Sequence, residues 1–331
     1  MKIPLSKMFI FGKRFLEARW LKKNKPFAVS FALTRRCNYR CLYCGTSKIK
    51  EKELSTKDIF WIIDALKRCG VLIIVFTGGE PLLREDIGDI INYAKGKEFI
   101  IFVNTNGSLV PDKIGQIKSI DGLQISLEGL PEVHDIIRGR GSYNEVIKAL
   151  ETAKKHNIRV AIATTLNKLN VDKIETVIKI AQRFDVLASF QPLTLTLLDT
   201  HYPNPLLPSL DSYHRCINKL VELKKKGNPY IYNSLTGLKY LYYWPNTYPL
   251  LCSAGKLFFR IEADGRIFSC SRFQPLWQGE RIELGIDLCK MIKHLDSISC
   301  SQCWCVGEAE VNLVFSLKLE PLLNLIKMRI I

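Results

Sequence analysis

Six short apolar runs alternate with longer amphipathic ones between Phe27 and about Pro192, and this alternation constrains the fold more than any other feature. The runs at 27–33, 71–76, 99–104, 122–127, 159–165 and 186–190 are β-branched or aromatic and apolar on both faces, as strands covered on both sides are. Between them lie helical patterns. "STKDIFWIIDALKRC" opens with a Ser/Thr cap and a first-turn Asp. "REDIGDIINYAKGK", "YNEVIKALETAKKH" and "NVDKIETVIKIAQRF" follow, then "SLDSYHRCINKLVELKKKG" after the sixth run. Six β/α units predict a parallel sheet with right-handed crossovers. They fall short of the eight of a closed barrel, so the expected fold is α/β, a partial (β/α)6 TIM-like barrel. Its active face is expected at the carboxyl ends of the strands.

Pro203, Pro205 and Pro208 mark a loop after the sixth unit, and after Pro229 the pattern changes. "KLFFRIEADGRIFSC" (256–270) reads as a β-hairpin turning at Asp264-Gly265. The expected organisation is a basic N-terminal segment (1–26), a barrel core (27–228) and a small C-terminal cysteine-rich β-hairpin/helix domain (229–331).

Eleven cysteines cluster at 37–44 and 300–305, with Cys252 and Cys270 between. A chain of 331 residues needs no disulfide staples, and tight clusters point to metal. Cys69, Cys216 and Cys289 lie in helical patterns and read as small core residues. With no signal-peptide pattern and no apolar run of membrane-spanning length, a reducing cytoplasm is the expected location, membrane-peripheral at most. Net charge is +16, and residues 1–50 hold thirteen Lys/Arg against Glu17 alone. That asymmetry fits an anionic partner, such as an acidic peptide or a membrane surface. It also fits a solvated basic face that offsets thiolates. Phe11, Phe15, Ala18 and Leu21 stand at helical spacing, which suits a helix docked on the barrel and also interfacial membrane contact. Docking is the favoured reading.

"CNYRCLYC" puts Cys37, Cys41 and Cys44 at C-x3-C-x2-C spacing in the loop after the first strand. A structural zinc site needs a fourth ligand, which Asn38, Tyr39 and Gly45 do not supply. A [4Fe–4S] cluster held by three cysteines leaves its fourth iron for an outside ligand. "FTGGEPLL" (76–83), "NTNG" (104–107), "ISLEG" (125–129) and "HDIIRG" (134–139) follow the second, third and fourth strands. Together these motifs resemble the radical S-adenosylmethionine (SAM) superfamily over roughly residues 27–192.

The resemblance implies that Cys37, Cys41 and Cys44 hold a [4Fe–4S] cluster whose open iron is chelated by SAM. Reductive cleavage of SAM then yields a 5′-deoxyadenosyl radical that abstracts hydrogen from a substrate. It implies cofactor contacts from Tyr43 near the adenine, from Gly78 and Gly79 by close backbone approach, and from Glu80 to the SAM ammonium. Ser126 and Arg138 are implied at the SAM carboxylate, and Asn104 or Asn106 at SAM or substrate. Glu128 stands where many relatives have Asp, at a position implied to be a substrate-side contact or one behind the contacting residues, so the change is expected to bear on substrate rather than on SAM. A reducing protein such as flavodoxin or ferredoxin is implied as electron donor.

In the C-terminal region, Cys252, the hairpin turn at Gly265 and Cys270 resemble a SPASM/twitch domain, completed by Cys300, Cys303 and Cys305 in "SCSQCWC". One auxiliary [4Fe–4S] cluster is implied. Cys252, Cys270, Cys300 and Cys303 are its ligands, with Cys305 as substitute for one of the last two. A structural zinc site uses the same thiolates.

None of the five histidines reads as a ligand, and no Ser-His-Asp set, P-loop or dinucleotide fingerprint is present. The expected function is a radical SAM enzyme that modifies a peptide or protein. A small-molecule, sugar or lipid substrate is the alternative, and a non-catalytic iron–sulfur electron carrier the reading from another class. The GGE and SLEG/IRG motifs discriminate, since an electron carrier has no use for a SAM site. "YLYYWPNTYP" (240–249) is read as a substrate-facing lid, and the apolar segment from Glu310 onward as a cover for the barrel mouth or a contact for apolar substrate.

Overall fold

The computed structural model describes residues 5–246, 248–270, 279–295, 300 and 302–327. Helix α1 (Leu5–Trp20) precedes strand β1 (Ala28–Thr34). Strands β2 (Ile73–Gly78), β3 (Ile100–Thr105), β4 (Gly122–Ser126), β5 (Val160–Leu166) and β6 (Leu187–Pro192) follow β1 in chain order, and every neighbouring pair is parallel. The crossovers carry α2 (Thr56–Arg68), α3 (Ile87–Gly96), α4 (Val110–Ile117), α5 (Pro131–Arg138), α6 (Ser142–Lys155) and α7 (Ile174–Phe184), and α8 (Leu210–Lys225) follows β6. The six β/α units are those expected, and the sheet stays open as a partial barrel. The short helices α4 and α5 were not foreseen, because eight residues give too few turns for a clear apolar period.

Local sequence explains the elements. Val29, Phe31, Ile74, Phe76, Ile101, Val103 and Ile125 are fully buried and alternate along their strands, so they share one face of the sheet, while Ser30, Val75, Phe102 and Gln124 on the other face are half-buried, short of the two-sided burial expected. Helix α2 starts in a capping box, with Ser55 accepting from Asp58 N–H and the Asp58 carboxylate accepting from Ser55 N–H. Its buried stripe is Ile59, Ile62, Ile63 and Leu66.

The C-terminal region holds α9 (Leu235–Leu241), β7 (Phe258–Ile261), β8 (Ile267–Phe268), α10 (Leu288–Lys293), α11 (Val306–Phe315) and α12 (Leu319–Lys327). The expected hairpin is present, with β7 and β8 antiparallel and Gly265 at φ +85° in the turn. It is not separate from the barrel sheet. Strand β7 pairs in parallel with β1, Ala28 opposite Phe258 and Phe31 opposite Ile261, so the sheet runs β6-β5-β4-β3-β2-β1-β7-β8. Phe259, Ile261, Ile292, Ala309 and Leu313 also belong to the barrel's own core cluster.

Helix α1 docks, as favoured from sequence. Ala18 is buried among Ala254, Leu257 and Phe258, the Phe11 ring lies 4.9 Å from Phe27, and Phe15 meets Phe315 edge-on at 5.7 Å. Leu21 lies beyond the helix and is exposed. The aromatic stretch at 240–249 departs from the lid reading. Trp244 is buried 4.6 Å from Tyr213, and Tyr242 stacks on His214, both partners belonging to α8. Thr247 lies outside the described residues.

Cys216 is a buried core residue, as expected, but Cys69 and Cys289 are not separate core thiols. They form a disulfide across 220 residues of sequence, fastening α10 to the C-terminal end of α2. Helical periodicity alone does not reveal a pair so far apart in the chain. Removing a native cross-link that closes a long loop costs about 2–4 kcal/mol. Thermal denaturation of the cluster-free protein with and without dithiothreitol should therefore show a lower midpoint when reduced. Cys69→Ser should match the reduced protein and be insensitive to reductant.

Candidate active site at the carboxyl ends of the strands

The loop that follows β1 carries Cys37, Cys41 and Cys44, and backbone and side-chain contacts hold it from several sides. Leu42 N–H donates to Ile137 C=O at 3.0 Å, Asn204 Nδ2 donates to Tyr43 C=O at 3.1 Å, and Tyr39 O–H donates to Glu145. At its base, Arg35 pairs with Glu51 and Glu262, each at 2.7 Å and each largely buried. Arg260 also pairs with Glu262, so the cysteine loop is tied to the C-terminal hairpin by ions as well as by β1.

The three thiols line one cavity of about 170 Å³. Tyr43, Gly78, Gly79, Asn104, Ser126 and Arg138 line it too, each at a strand end or in the loop beyond one. Asn106 lines it as well, so ten of the twelve residues singled out from sequence for this site face one space, and Glu128 and Glu80 are the exceptions. The Glu80 side chain is fully buried behind the wall. Oε1 accepts from Thr105 Oγ1 (2.8 Å) and Leu82 N–H (3.1 Å), and Oε2 accepts from Asn106 N–H (2.7 Å). Burial pushes this carboxyl up to about 7, although those donors favour the carboxylate.

The glycines also act differently from expectation. A Cβ on Gly78 would stand 2.2 Å from Thr34 O, and one on Gly79 2.2 Å from Arg36 O. What crowds them is the backbone of the cysteine loop. Gly79 N–H donates to Thr34 C=O at 2.7 Å and Glu80 N–H to Arg36 C=O at 2.8 Å. The Gly-Gly pair thus docks the loop after β2 against the loop after β1.

Glu128 was expected either on the substrate side or behind the lining residues, and it takes the second place. It is fully buried, and its Oε1 accepts from Arg138 Nε (3.1 Å), Arg138 Nη2 (2.7 Å) and Tyr43 O–H (2.7 Å), while Oε2 accepts from Thr165 N–H (3.1 Å). The Arg138 guanidinium also lies 5.6 Å from the centre of the Tyr43 ring. Glu128 therefore sets the pose of two cavity-lining side chains.

Burial raises the Cys41 thiol to about 11, with Arg138 opposing, and raises Cys37 as well. Binding metal at these sulfurs therefore releases protons. The cavity lining offers three cysteines and no His, Asp or Glu among the described residues, so the donor set suits a centre held at three corners. Nor do any three His, Cys, Asp or Glu side chains among the described residues close tightly enough to cage a bare metal ion.

Residues 31–181 match the Radical SAM superfamily. Over that stretch the chain carries a radical SAM domain. Such a domain implies a [4Fe–4S] cluster and SAM. Over 162 residues the chain is 33% identical to Fe-coproporphyrin III synthase of Methanosarcina barkeri, covering 47% of this chain and 41% of that protein. Over 257 residues it is 28% identical to mycofactocin maturase MftC of Mycolicibacterium smegmatis, covering 75% and 64%. The chain thus spans less than two thirds of either relative. In fold it is similar to Streptococcus suis SuiB bound to precursor peptide SuiA, with TM-score 0.69 and 16% identity over 97% of this chain and 80% of SuiB. It is also similar to anSMEcpe with bound AdoMet and Kp18Cys peptide, with TM-score 0.64 and 17% identity over 82% and 81%.

The C-terminal cysteines form a second neighbourhood. Cys252 and Cys300 share a thiol–thiol hydrogen bond that raises Cys252, with burial adding to it. Cys303, raised by burial, lies within electrostatic reach of both Cys252 and Cys270. Its N–H donates to the Tyr240 phenolic oxygen at 2.8 Å, and its sulfur accepts from Asn312 Nδ2 at 3.3 Å. Asn312 Oδ1 accepts from Ser253 N–H (2.8 Å) and Oγ (2.6 Å), fixing the amide. Cys270 donates to Glu308 at 3.5 Å, and Cys305 stands at the start of α11. Ser301 lies outside the described residues.

Sequence reasoning placed Asn106 and Glu128 at the site without these positioning contacts, and it missed His134. Asn106 Nδ2 donates to Asn38 Oδ1 at 2.8 Å, bridging the β3 end to the cysteine loop. Glu128 holds Arg138. His134, fully buried, accepts from Glu128 N–H through Nδ1 at 3.1 Å, which leaves its proton on Nε2. Burial, with Arg138 nearby, lowers His134 to about 3. The unfolded chain therefore takes up a proton near pH 6.5 that the folded chain refuses, so this contribution to stability is full above 6.5 and lost as pH falls towards 3. Chemical denaturation at pH 7.5 and 5.0 should show wild type losing about 2 kcal/mol relative to His134→Gln. Equal losses in the two proteins would remove His134 as the titrating group.

Proposed function

We propose that this chain is a radical SAM enzyme that acts on a peptide or protein. Cys37, Cys41 and Cys44 would hold a [4Fe–4S] cluster, with SAM in the cavity they line. The observation that carries the site assignment is the convergence of those thiols with Ser126 and Arg138 on one cavity at the strand ends. When bound, the cluster and SAM supply a carbon-centred radical able to abstract hydrogen. The chain's own residues orient and shield. Arg138 would present its guanidinium to the SAM carboxylate, for which its fork geometry is suited. Glu128 would keep that fork aimed, and Ser126 would add a hydroxyl contact. Asn104 and Tyr43 would contact the nucleoside. Glu80, enclosed by its three donors, would brace the wall and shape the cavity rather than touch SAM. The hydrogen bonds that fix the cysteine loop would keep the thiols at their separation before loading.

The peptide reading is supported by similarity to a maturase and to folds seen with a precursor peptide and a peptide substrate. The second thiol neighbourhood would hold an auxiliary [4Fe–4S] cluster through Cys252, Cys270, Cys300 and Cys303, with Cys305 as the alternative to one of the last two. That centre would pass electrons or anchor substrate.

Anaerobically reconstituted protein, reduced with dithionite in the presence of SAM, should release 5′-deoxyadenosine, and Cys41→Ala should abolish it. Iron analysis should give about eight irons per chain, falling to about four in Cys41→Ala and also in a Cys252→Ala/Cys303→Ala protein. A loaded protein that makes no 5′-deoxyadenosine would count against the assignment.

Glu128→Gln should weaken SAM binding about tenfold in equilibrium dialysis while iron content stays at the wild-type value. Arg138→Lys should lose at least as much, because a point charge does not replace a two-pronged contact. Unchanged SAM affinity in both would break the link between this pair and SAM.

A further inference from the structure

We propose that the corner of the molecule where α1 meets the end of α11 is a docking surface for an anionic lipid bilayer. Nineteen large hydrophobic side chains are exposed among the described residues, and nine belong to this corner or lead from it. Along α1, Phe9 (76% exposed), Leu16 and Trp20 stand at 9, 16 and 20, on the side opposite Phe11, Phe15 and Ala18. Leu21 extends that face. Along α12, Leu319 (72% exposed), Leu323 and Ile326 repeat at i, i+4 and i+7. The inner side of α12 is already committed. Glu320 accepts from Leu235 and Thr236 N–H, Asn324 Nδ2 donates to Tyr232 C=O, and Pro321 is buried.

The two stripes flank a single junction. Phe315 closes α11, packs on Phe15, and has the Arg19 guanidinium 5.9 Å from its ring centre, while Arg19 also reaches Trp20 at 5.7 Å. Leu317, exposed, links α11 to α12. Leu251, also exposed, donates its N–H to Ser316 Oγ at 3.2 Å. Buried Phe315 lies beneath this junction, and an exposed apolar row leads from it along each helix. Isolated exposed leucines need no explanation, but two such rows leading from one junction do.

Charge selects the occupant. Lys13, Lys22, Lys23 and Lys318 are exposed beside the stripes, and Lys256 Nζ sits 6.0 Å from the Phe315 ring centre. The nearby acids are already engaged, Glu17 by Lys25 at 3.0 Å and Glu320 by backbone N–H groups. A protein partner or a second copy wants apolar surface with a balanced rim. A ring of lysines around leucines and a tryptophan matches headgroup phosphates over acyl chains, with the lysine stems lying along the apolar surface. No helix of the described residues is long and apolar enough to cross a membrane, so the contact is peripheral. The α1 helix thus serves both roles that the sequence left open, one face on the protein core and the other on lipid.

The test is flotation of the full-length protein with vesicles of phosphatidylcholine containing 30% phosphatidylglycerol. Binding is expected, about tenfold weaker to pure phosphatidylcholine and weakened several-fold by 0.5 M salt. Leu16→Glu/Leu319→Glu should reduce it at least tenfold. These exposed sites should leave the melting temperature unchanged, which a thermal scan checks. Absence of flotation by the stable wild-type protein overturns the proposal. So does sedimentation showing a dimer that Leu16→Glu/Leu319→Glu converts to monomer, because the occupant is then a second copy. Iron content and 5′-deoxyadenosine release in detergent-free buffer read the radical SAM site separately, so failure of one reading does not carry over to the other.

Discussion

Strand β1 is the one element on which both thiol sites depend. It pairs with β2 on one side and β7 on the other, with Ala28 opposite both Ile73 and Phe258. Its C-terminal end delivers the loop with Cys37, Cys41 and Cys44, and β7 leads through β8 to Cys270. A parallel ladder fixes register at every rung, and a one-residue slip would turn buried Val29 and Phe31 to the wrong face. The spacing between the two sites is therefore set by backbone hydrogen bonds. The buried Arg35–Glu262–Arg260 ion group adds a second tie at the same place. Its value lies in orientation more than in net stability, since buried ion pairs recover little beyond their desolvation cost.

Around that frame, the cavity is built by loops that hold one another. Gly78 and Gly79 permit backbone contact between the first two loops, Asn106 bridges the third to the first, and Glu128 joins the fourth strand end to Arg138 and Tyr43. Glu80, Asn106 and Glu128 each hydrogen-bond to a group from another strand end or loop. Such a shell is what a site needs if its ligating and cradling groups are to stand ready before cofactor arrives. It also shows how Glu80, held by Thr105, Leu82 and Asn106, braces that wall without lining the cavity.

The six β/α units, the thiol loops and most of the cavity lining were legible in the chain because each is written in local pattern: two-faced apolar runs, a capped amphipathic helix, cysteines at short spacing. The roles of Gly78, Gly79, Glu80 and Glu128 were not. Their partners, Thr34, Arg36, Asn106 and Arg138, come from other loops, and nothing in a linear spacing says which carbonyl a glycine will meet. The Cys69–Cys289 disulfide and the packing of Trp244 on α8 escaped for the same reason.

By itself the sequence determined the class of fold and the chemistry on offer, because hydrophobic period and ligand spacing act over a few residues and survive in any context. Only the tertiary structure decided that the C-terminal hairpin extends the barrel sheet, that Glu128 serves Arg138, and that α1 keeps one apolar face inward and one outward. Those outcomes depend on which distant segments share a strand edge or a core, and close packing settles that among many segments at once.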